Sequence, residues 1–237
     1  MSNRPTGAAV EIRYERRRGL RRLRMSFDYG NRLVVGVPWH CPMKEALAFV
    51  EANRDWIGRQ AAGLAPVRSI AEHLARHPLL ALEGGGEASA VVRRAGAGRS
   101  FWLHDSGKRE ILFHCAPSGA GADPLDRLVR EVAARFLRLR LEELAARRGF
   151  SPARVTVRDQ RSRWGSCSRK GTISLNWRLI LCPPGARDYV LLHELAHLRH
   201  LDHSANFHRL LDSLDPARRI HEKALDRLTA GLMRVGR

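Results

Sequence analysis

Cysteine is scarce in this 237-residue chain: there are four thiols, Cys41, Cys115, Cys167 and Cys182, and no C-x-x-C pair. That scatter excludes a zinc ribbon or a disulfide-stapled scaffold and fits reduced thiols, so any metal must find other ligands. Long hydrophobic runs are missing too. No stretch approaches 18 consecutive apolar residues, which rules out a hydropathic transmembrane helix and makes a membrane partner unexpected. The first two dozen residues carry eight arginines and no apolar signal-peptide core, so the expected compartment is the cytoplasm. Lysine is nearly absent, at 4 residues against 38 Arg, and only 24 acidic residues oppose them, leaving a net charge of +18.

Two readings of that charge stand side by side. Either the arginines form solvated faces of an arginine-favouring chain, or they make a surface attracted to phosphates, nucleic acid or acidic partners. The densest run is Arg16, Arg17, Arg18, Arg21, Arg22 and Arg24, interleaved with Leu20, Leu23 and Met25. With 44% apolar and 28% charged residues, the composition is that of a globular protein able to build a core. The length allows one large domain or two small ones, and two packed parts are expected.

From Val10 to Pro38 apolar and polar residues alternate as in half-buried strands, with turns near Arg18-Gly19 and Tyr29-Gly30-Asn31, so two hairpins are expected. Met43, Ala46, Leu47, Val50 and Ile57 then predict one helix ending near Gly63. Short apolar runs at Leu79 to Leu82, Ala90 to Val92, Phe101 to Leu103 and Ile111 to Phe113 read as further strands of the same small sheet. The small-residue segment 118–122 marks the expected boundary, giving an N-terminal β-rich subdomain (1–120) and a second domain (121–237). Asp123-Pro124 reads as an N-cap and N1 proline opening a long helix, whose stripe is Leu125, Leu128, Val132, Phe136 and Leu139 and which ends before Gly149. Strands follow at Val155 to Val157 and Ile173 to Trp177, with a turn at 168–171. A helix from about Arg187 to His200, a turn at Asp202-His203-Ser204, a short helix capped by Ser204 and a last helix through Leu232 complete the chain.

The chemistry concentrates in His193-Glu194-Leu195-Ala196-His197-Leu198-Arg199-His200-Leu201-Asp202-His203, which contains H-E-x-x-H on a predicted helix. At 100° per residue His193 and His197 share one face while Leu191, Leu195 and Leu198 occupy the other. Two neutral imidazoles one turn apart can converge on a metal, and Glu194 beside them is placed to take a proton from a water that the metal activates. From 11 His and 13 Glu, a chance match is about a three-in-a-hundred event, which favours the metal helix over a merely solvated histidine face. A catalytic zinc needs a third ligand. His203, beyond the helix end, can fold back over the ion; His200 at i+7 would approach from the same side as the first two, which makes poor tetrahedral geometry, and His208 is more distant. Tyr189, one turn before His193, is a candidate oxyanion donor or a structural residue, and Cys167 is a candidate for the open metal position in a resting form.

The H-E-x-x-H-x5-H spacing resembles that of the metzincins loosely, since their glycine position is His200 here. A closer resemblance takes in Arg161-Ser162-Arg163-Trp164-Gly165-Ser166-Cys167-Ser168, Gly171, Ile173-Ser174-Leu175-Asn176, Pro183, Asp188-Tyr189-Val190 and His193 to His203 with Ser204 and Phe207. These residues, over about 125 to 215, resemble the YgjP-like metallopeptidases, predicted metal-dependent hydrolases related to the SprT-like proteases. One departure is His208, where a tryptophan is expected. The resemblance implies an α+β fold with a zincin-like metallopeptidase domain, in which a sheet edge beside the active-site helix binds an extended peptide. The stretch Ile173 to Trp177 offers such an edge for β-augmentation.

The expected protein is thus a zinc metallohydrolase, and within that class a peptidase. His193, His197 and His203 hold Zn2+, and Glu194 is the general base. The alternatives are a basic nucleic-acid-binding protein with a structural or vestigial zinc site, and a DNA-associated protease that cleaves bound proteins.

Overall fold

The structure, a computed structural model, describes residues 10–117 and 123–237. These form a mixed α+β fold with three small sheets and seven helices, and the chain gathers into two compact units, Met1–Val67 with Arg237 and Arg68–Gly236. The division falls between Val67 and Arg68; the segment 118–122, where the boundary is expected, lies outside the described residues.

The first unit holds β1 (Ile12–Arg17), β2 (Arg24–Phe27) and β3 (Leu33–Pro38) in the order β1-β3-β2. The second expected hairpin is present, with β2 antiparallel to β3, but the first is not: β1 runs parallel to β3. Central β3 buries Leu33, Val35 and Val37 completely. Joining β1 directly to β2 would instead leave this apolar strand at an edge. The single helix expected here is two, α1 (Met43–Ala52) and α2 (Arg54–Ala62). At Asn53 the backbone leaves helical geometry (φ −114°, ψ 17°), and its side-chain amide donates to the Phe49 carbonyl at 2.7 Å. Asparagine competes with the helix for backbone groups in this way.

The second unit opens with α3 (Ile70–Arg76), which the apolar pattern did not reveal. Its signal is a capping box: Ser69 accepts from the Glu72 N–H and the Glu72 side chain accepts from the Ser69 N–H. Then come β4 (Leu79–Ala81), β5 (Glu87–Arg94), β6 (Phe101–Asp105) and β7 (Glu110–Cys115), ordered β4-β5-β7-β6. They form a sheet of their own because Leu80, Ala88, Ile111 and Phe113 belong to the core around the next helix, not to the core under β3.

That helix, α4 (Pro124–Arg148), is opened by the Asp123 carboxylate accepting from the Leu125 N–H and closed by Gly149 in the left-handed region at φ 66°. Its buried stripe runs through Leu125, Val132, Phe136, Leu141 and Leu144; Leu139, expected in the stripe, is 40% exposed. The third sheet has β8 (Arg154–Arg158), β9 (Gly165–Cys167) and β10 (Thr172–Asn176) in the order β8-β10-β9. Here β10 is parallel to β8 and antiparallel to β9 through the 168–171 turn, so that turn joins β9 to β10 and not β8 to β10 as expected. Trp177 lies outside the strand, opening a 3-10 segment, Trp177–Leu181. Helices α5 (Pro184–Ala196), α6 (Ala205–Leu214) and α7 (Arg218–Leu232) complete the chain.

Two polar knots hold the pieces that carry the site. Fully buried Asn176 donates to the carbonyls of Gln160 (3.0 Å) and Arg163 (2.9 Å), fixing the loop that leads into β9. On α5, Asp188 accepts from Arg140 of α4 (3.2 and 2.6 Å) and from fully buried Arg187 (2.9 Å), whose Nη1 also donates to the Leu82 carbonyl. Arg140 meets Glu143 at 2.7 Å as well. Removing one partner of such a buried group leaves uncompensated charge. We expect Asp188→Asn to lower unfolding free energy by about 3 kcal/mol in a denaturant titration; a change within experimental error would show that the network does not hold α5.

Candidate metal centre

Helix α5 turns its apolar side to the core: Leu191 and Leu195 are fully buried, while His193 and His197 lie on the partly open side. The regular helix begins at Pro184 and stops at Ala196, earlier than expected, so His197 occupies the C-cap with its N–H still donating to the His193 carbonyl at 3.3 Å. The chain then reverses through residues 197–203, and the Asp202 carboxylate accepts from the Ser204 N–H at 3.3 Å. Ser204 sits at the N-cap of α6, but its side chain makes no capping bond.

This reversal brings His203 back to the helix. The Nε2 atoms of His197 and His203 each lie 3.2 Å from the Nε2 of His193, and all three lie within 4.8 Å of one another. Two zinc–nitrogen bonds of the usual length at a tetrahedral angle separate their nitrogens by about 3.4 Å. One imidazole nitrogen has a single proton or a single lone pair, so His193 cannot satisfy both neighbours by hydrogen bonding. A cation among the three satisfies them together. The His197 Nδ1 is 2.9 Å from the His200 carbonyl; as donor there, it leaves the Nε2 lone pair facing inward. The His200 ring is not in the cluster, and His208 is exposed with its ring 6.4 Å from that of His203. Burial, reinforced by His197 and His203, lowers the His193 pKa to about 4, so its ring is neutral at pH 7.

Phe207 of α6 floors the cluster. Fully buried, it lies 4.6 to 4.9 Å, ring centre to ring centre, from all three imidazoles. Tyr189 packs edge-on to His193 at 6.0 Å and donates its hydroxyl to Glu222 at 3.0 Å, which turns that proton towards α7.

Glu194 is 5% exposed, and its Oε2 is buried with no hydrogen-bond partner. Burial pushes its carboxyl up to about 8, with only the charge of Arg163 opposing. Strand β9 comes so close that a Cβ on Gly165 would stand 2.5 Å from Glu194 Oε1 and 2.7 Å from its Cγ. Glycine is required there by space. Cys167 lies outside the histidine cluster; burial and then the charge of Glu194 raise its thiol pKa, and its Sγ donates to the Ser168 carbonyl at 3.6 Å.

The expected substrate edge must be corrected. Strand β10 is central, paired on both sides, with Ile173 and Leu175 fully buried. The free edge beside Glu194 belongs to β9, which the sequence pattern did not show as a strand. In the antiparallel register Ser166 faces Ser174 and bonds inward, so the N–H and C=O groups of Gly165 and Cys167 point outward.

Three converging imidazoles and a buried carboxyl group on an α+β scaffold are the equipment of a metal-dependent hydrolase. The chain belongs to the YgjP-like family: the model of the YgjP-like metallopeptidase domain matches residues 21–228. A solved chain described as the crystal structure of the metallopeptidase zymogen of Pyrococcus abyssi abylysin is 28% identical, covering 42% of this chain and 98% of its own, with a TM-score of 0.36. No curated protein matches. No helix among the described residues is long and apolar enough to cross a membrane.

Elemental analysis of the purified protein tests the cluster. About one metal per chain is expected, lost in His203→Ala and kept in His200→Ala, because residue 200 contributes its carbonyl rather than its ring. Loss in His200→Ala with retention in His203→Ala would reverse the assignment.

Proposed function

We propose that this protein is a zinc-dependent peptidase with a zincin-like catalytic domain. His193, His197 and His203 hold one Zn2+, and Glu194 is the general base. The observation that carries this reading is the convergence of three Nε2 atoms beside a buried carboxylate whose Oε2 has no partner. An all-imidazole set suits zinc, and three protein ligands leave the fourth position open. When bound, the ion acidifies a water and polarises the scissile carbonyl.

The chain's own groups supply the rest. Glu194 accepts the proton of the attacking water at its free oxygen and later delivers it to the leaving amine, and a carboxyl held up by burial is matched to both transfers near neutral pH. Gly165 keeps the carboxylate within reach by leaving its space empty. The outward N–H and C=O groups of Gly165 and Cys167 pair with an extended polypeptide, which lies along β9 as an added strand. The free thiols fit a reducing compartment, and we place the protein in the cytoplasm.

The experiment is cleavage of denatured casein and of a pool of fluorescence-quenched peptides. Glu194→Gln is expected to keep its zinc and lose activity by about a hundredfold or more. Gly165→Ala is expected to keep its zinc and lose at least about tenfold, since a displacement near 1 Å at a catalytic group is costly. Undiminished cleavage by Glu194→Gln would overturn the assignment of the base.

A further inference from the structure

The three-stranded sheet of the first unit has one apolar and one basic face. Its register puts Tyr14, Met25 and Val35 together on the side that packs against Ala46 and Val50. Arg13, Glu15, Arg17 and Arg24 come together on the opposite side, because residues in register share a face. Glu15 is ion-paired to Arg13 (3.3 Å) and Arg17 (2.8 Å) at once, so one carboxylate is shared by two cations there. In the β1–β2 turn, exposed Arg21 and Arg22 have no acidic partner among the described residues.

At the end of the same sheet stands Trp39, 46% exposed. Arg16 Nη1 donates to its carbonyl at 2.6 Å, and the Arg18 guanidinium lies over its ring, 4.9 Å from the centroid. The tryptophan is therefore tied at its carbonyl and stacked by a cation at the surface, at the end of a sheet whose outer face carries Arg13, Arg17 and Arg24.

We propose that this face binds single-stranded nucleic acid, with the arginines on the phosphates and Trp39 as a stacking platform for a base. The two components match the two halves of such a ligand. Planar guanidinium forks fit phosphate oxygens, and an exposed aromatic ring stacks on any base, which is the physics of single-strand binding without sequence readout. An acidic peptide would use the arginines but leave the tryptophan idle. An anionic membrane is the remaining rival, because Met43 and Leu47 of α1 are also exposed; here, however, the Trp39 ring already carries the Arg18 guanidinium, and a charged group on the ring opposes its insertion into lipid.

Fluorescence anisotropy of the full chain with a labelled 20-nucleotide single-stranded DNA, the duplex of the same sequence, and vesicles containing phosphatidylserine distinguishes these outcomes. The single strand is expected to bind with a steep salt dependence. Trp39→Ala should weaken it about tenfold while leaving the duplex unchanged, and Trp39→Phe should restore most of the loss. Replacing Arg21 and Arg22 together by serine should weaken both nucleic acids and reduce the salt slope by about one for each phosphate no longer neutralised. Single-strand affinity unmoved by Trp39→Ala and by the arginine pair, or tighter binding to the vesicles, would overturn the proposal. None of these readouts uses zinc or peptide cleavage, so this proposal and the peptidase reading stand or fall separately.

Discussion

The site depends on the rotational setting of one helix. Apolar burial is non-directional: Leu191, Leu192 and Leu195 press α5 into the core, but such packing alone tolerates a small twist or slide. Asp188 removes that freedom. Bonded to Arg140 from α4 and to Arg187 from its own helix, with Arg187 reaching on to the Leu82 carbonyl, it ties α5 to two other segments by bonds that have direction. Those bonds lie five residues before His193, so they set the angle at which both histidines leave the helix. A rotation of 20° would carry an imidazole nitrogen roughly 2 Å around the axis, more than a 2.0–2.1 Å coordination shell can absorb.

A second constraint follows from the first. With α5 fixed, Glu194 faces the sheet, and the nearest backbone is that of β9. The space between them admits a hydrogen but no methyl group. Asn176 holds the loop before β9 from within the core, and the Trp164 indole donates to Thr229 of α7 at 3.0 Å. Strand β9 is therefore anchored from behind while its outer edge stays unpaired. The residues of the Arg163 to Ser168 stretch thus divide by position: Trp164 anchors, Gly165 makes room, and the strand edge stays unpaired.

Local signals were legible in α4 and α5, but not in the capping box of α3 or the Asn53 break between α1 and α2. The Asp123-Pro124 opening and Gly149 close of α4 could be read directly, because caps satisfy nearby backbone groups. The shared face of His193 and His197 follows from helical period, and the return of His203 from the turn that follows. Non-local pairing was hidden. The alternation in β1 is the same whether it pairs with β2 or β3, and the buried Ile173 and Leu175 of β10 give no sign of a third strand on its far side. Three residues, Gly165 to Cys167, are too short to show a period. Phe207 under the histidines and the His200 carbonyl behind His197 depend on the folded-back chain, and a carbonyl carries no residue-type signal.

The two carboxyl groups of α5 show how position on one helix separates a partnered acid from an unpartnered one. Asp188 is surrounded by cations that are themselves buried, and its hydrogen-bonding capacity is taken up by them. Glu194, six residues on and more deeply buried, faces a glycine and has only the influence of Arg163 to offset the loss of water. Burying a carboxyl without partners costs stability, and a fold that only had to stand would place an apolar residue there. The cost is understandable where the unpartnered oxygen has a proton to accept. A free oxygen beside three imidazole nitrogens that cannot all be satisfied by one another is then a local frustration, which the proposed ion and its water would resolve together.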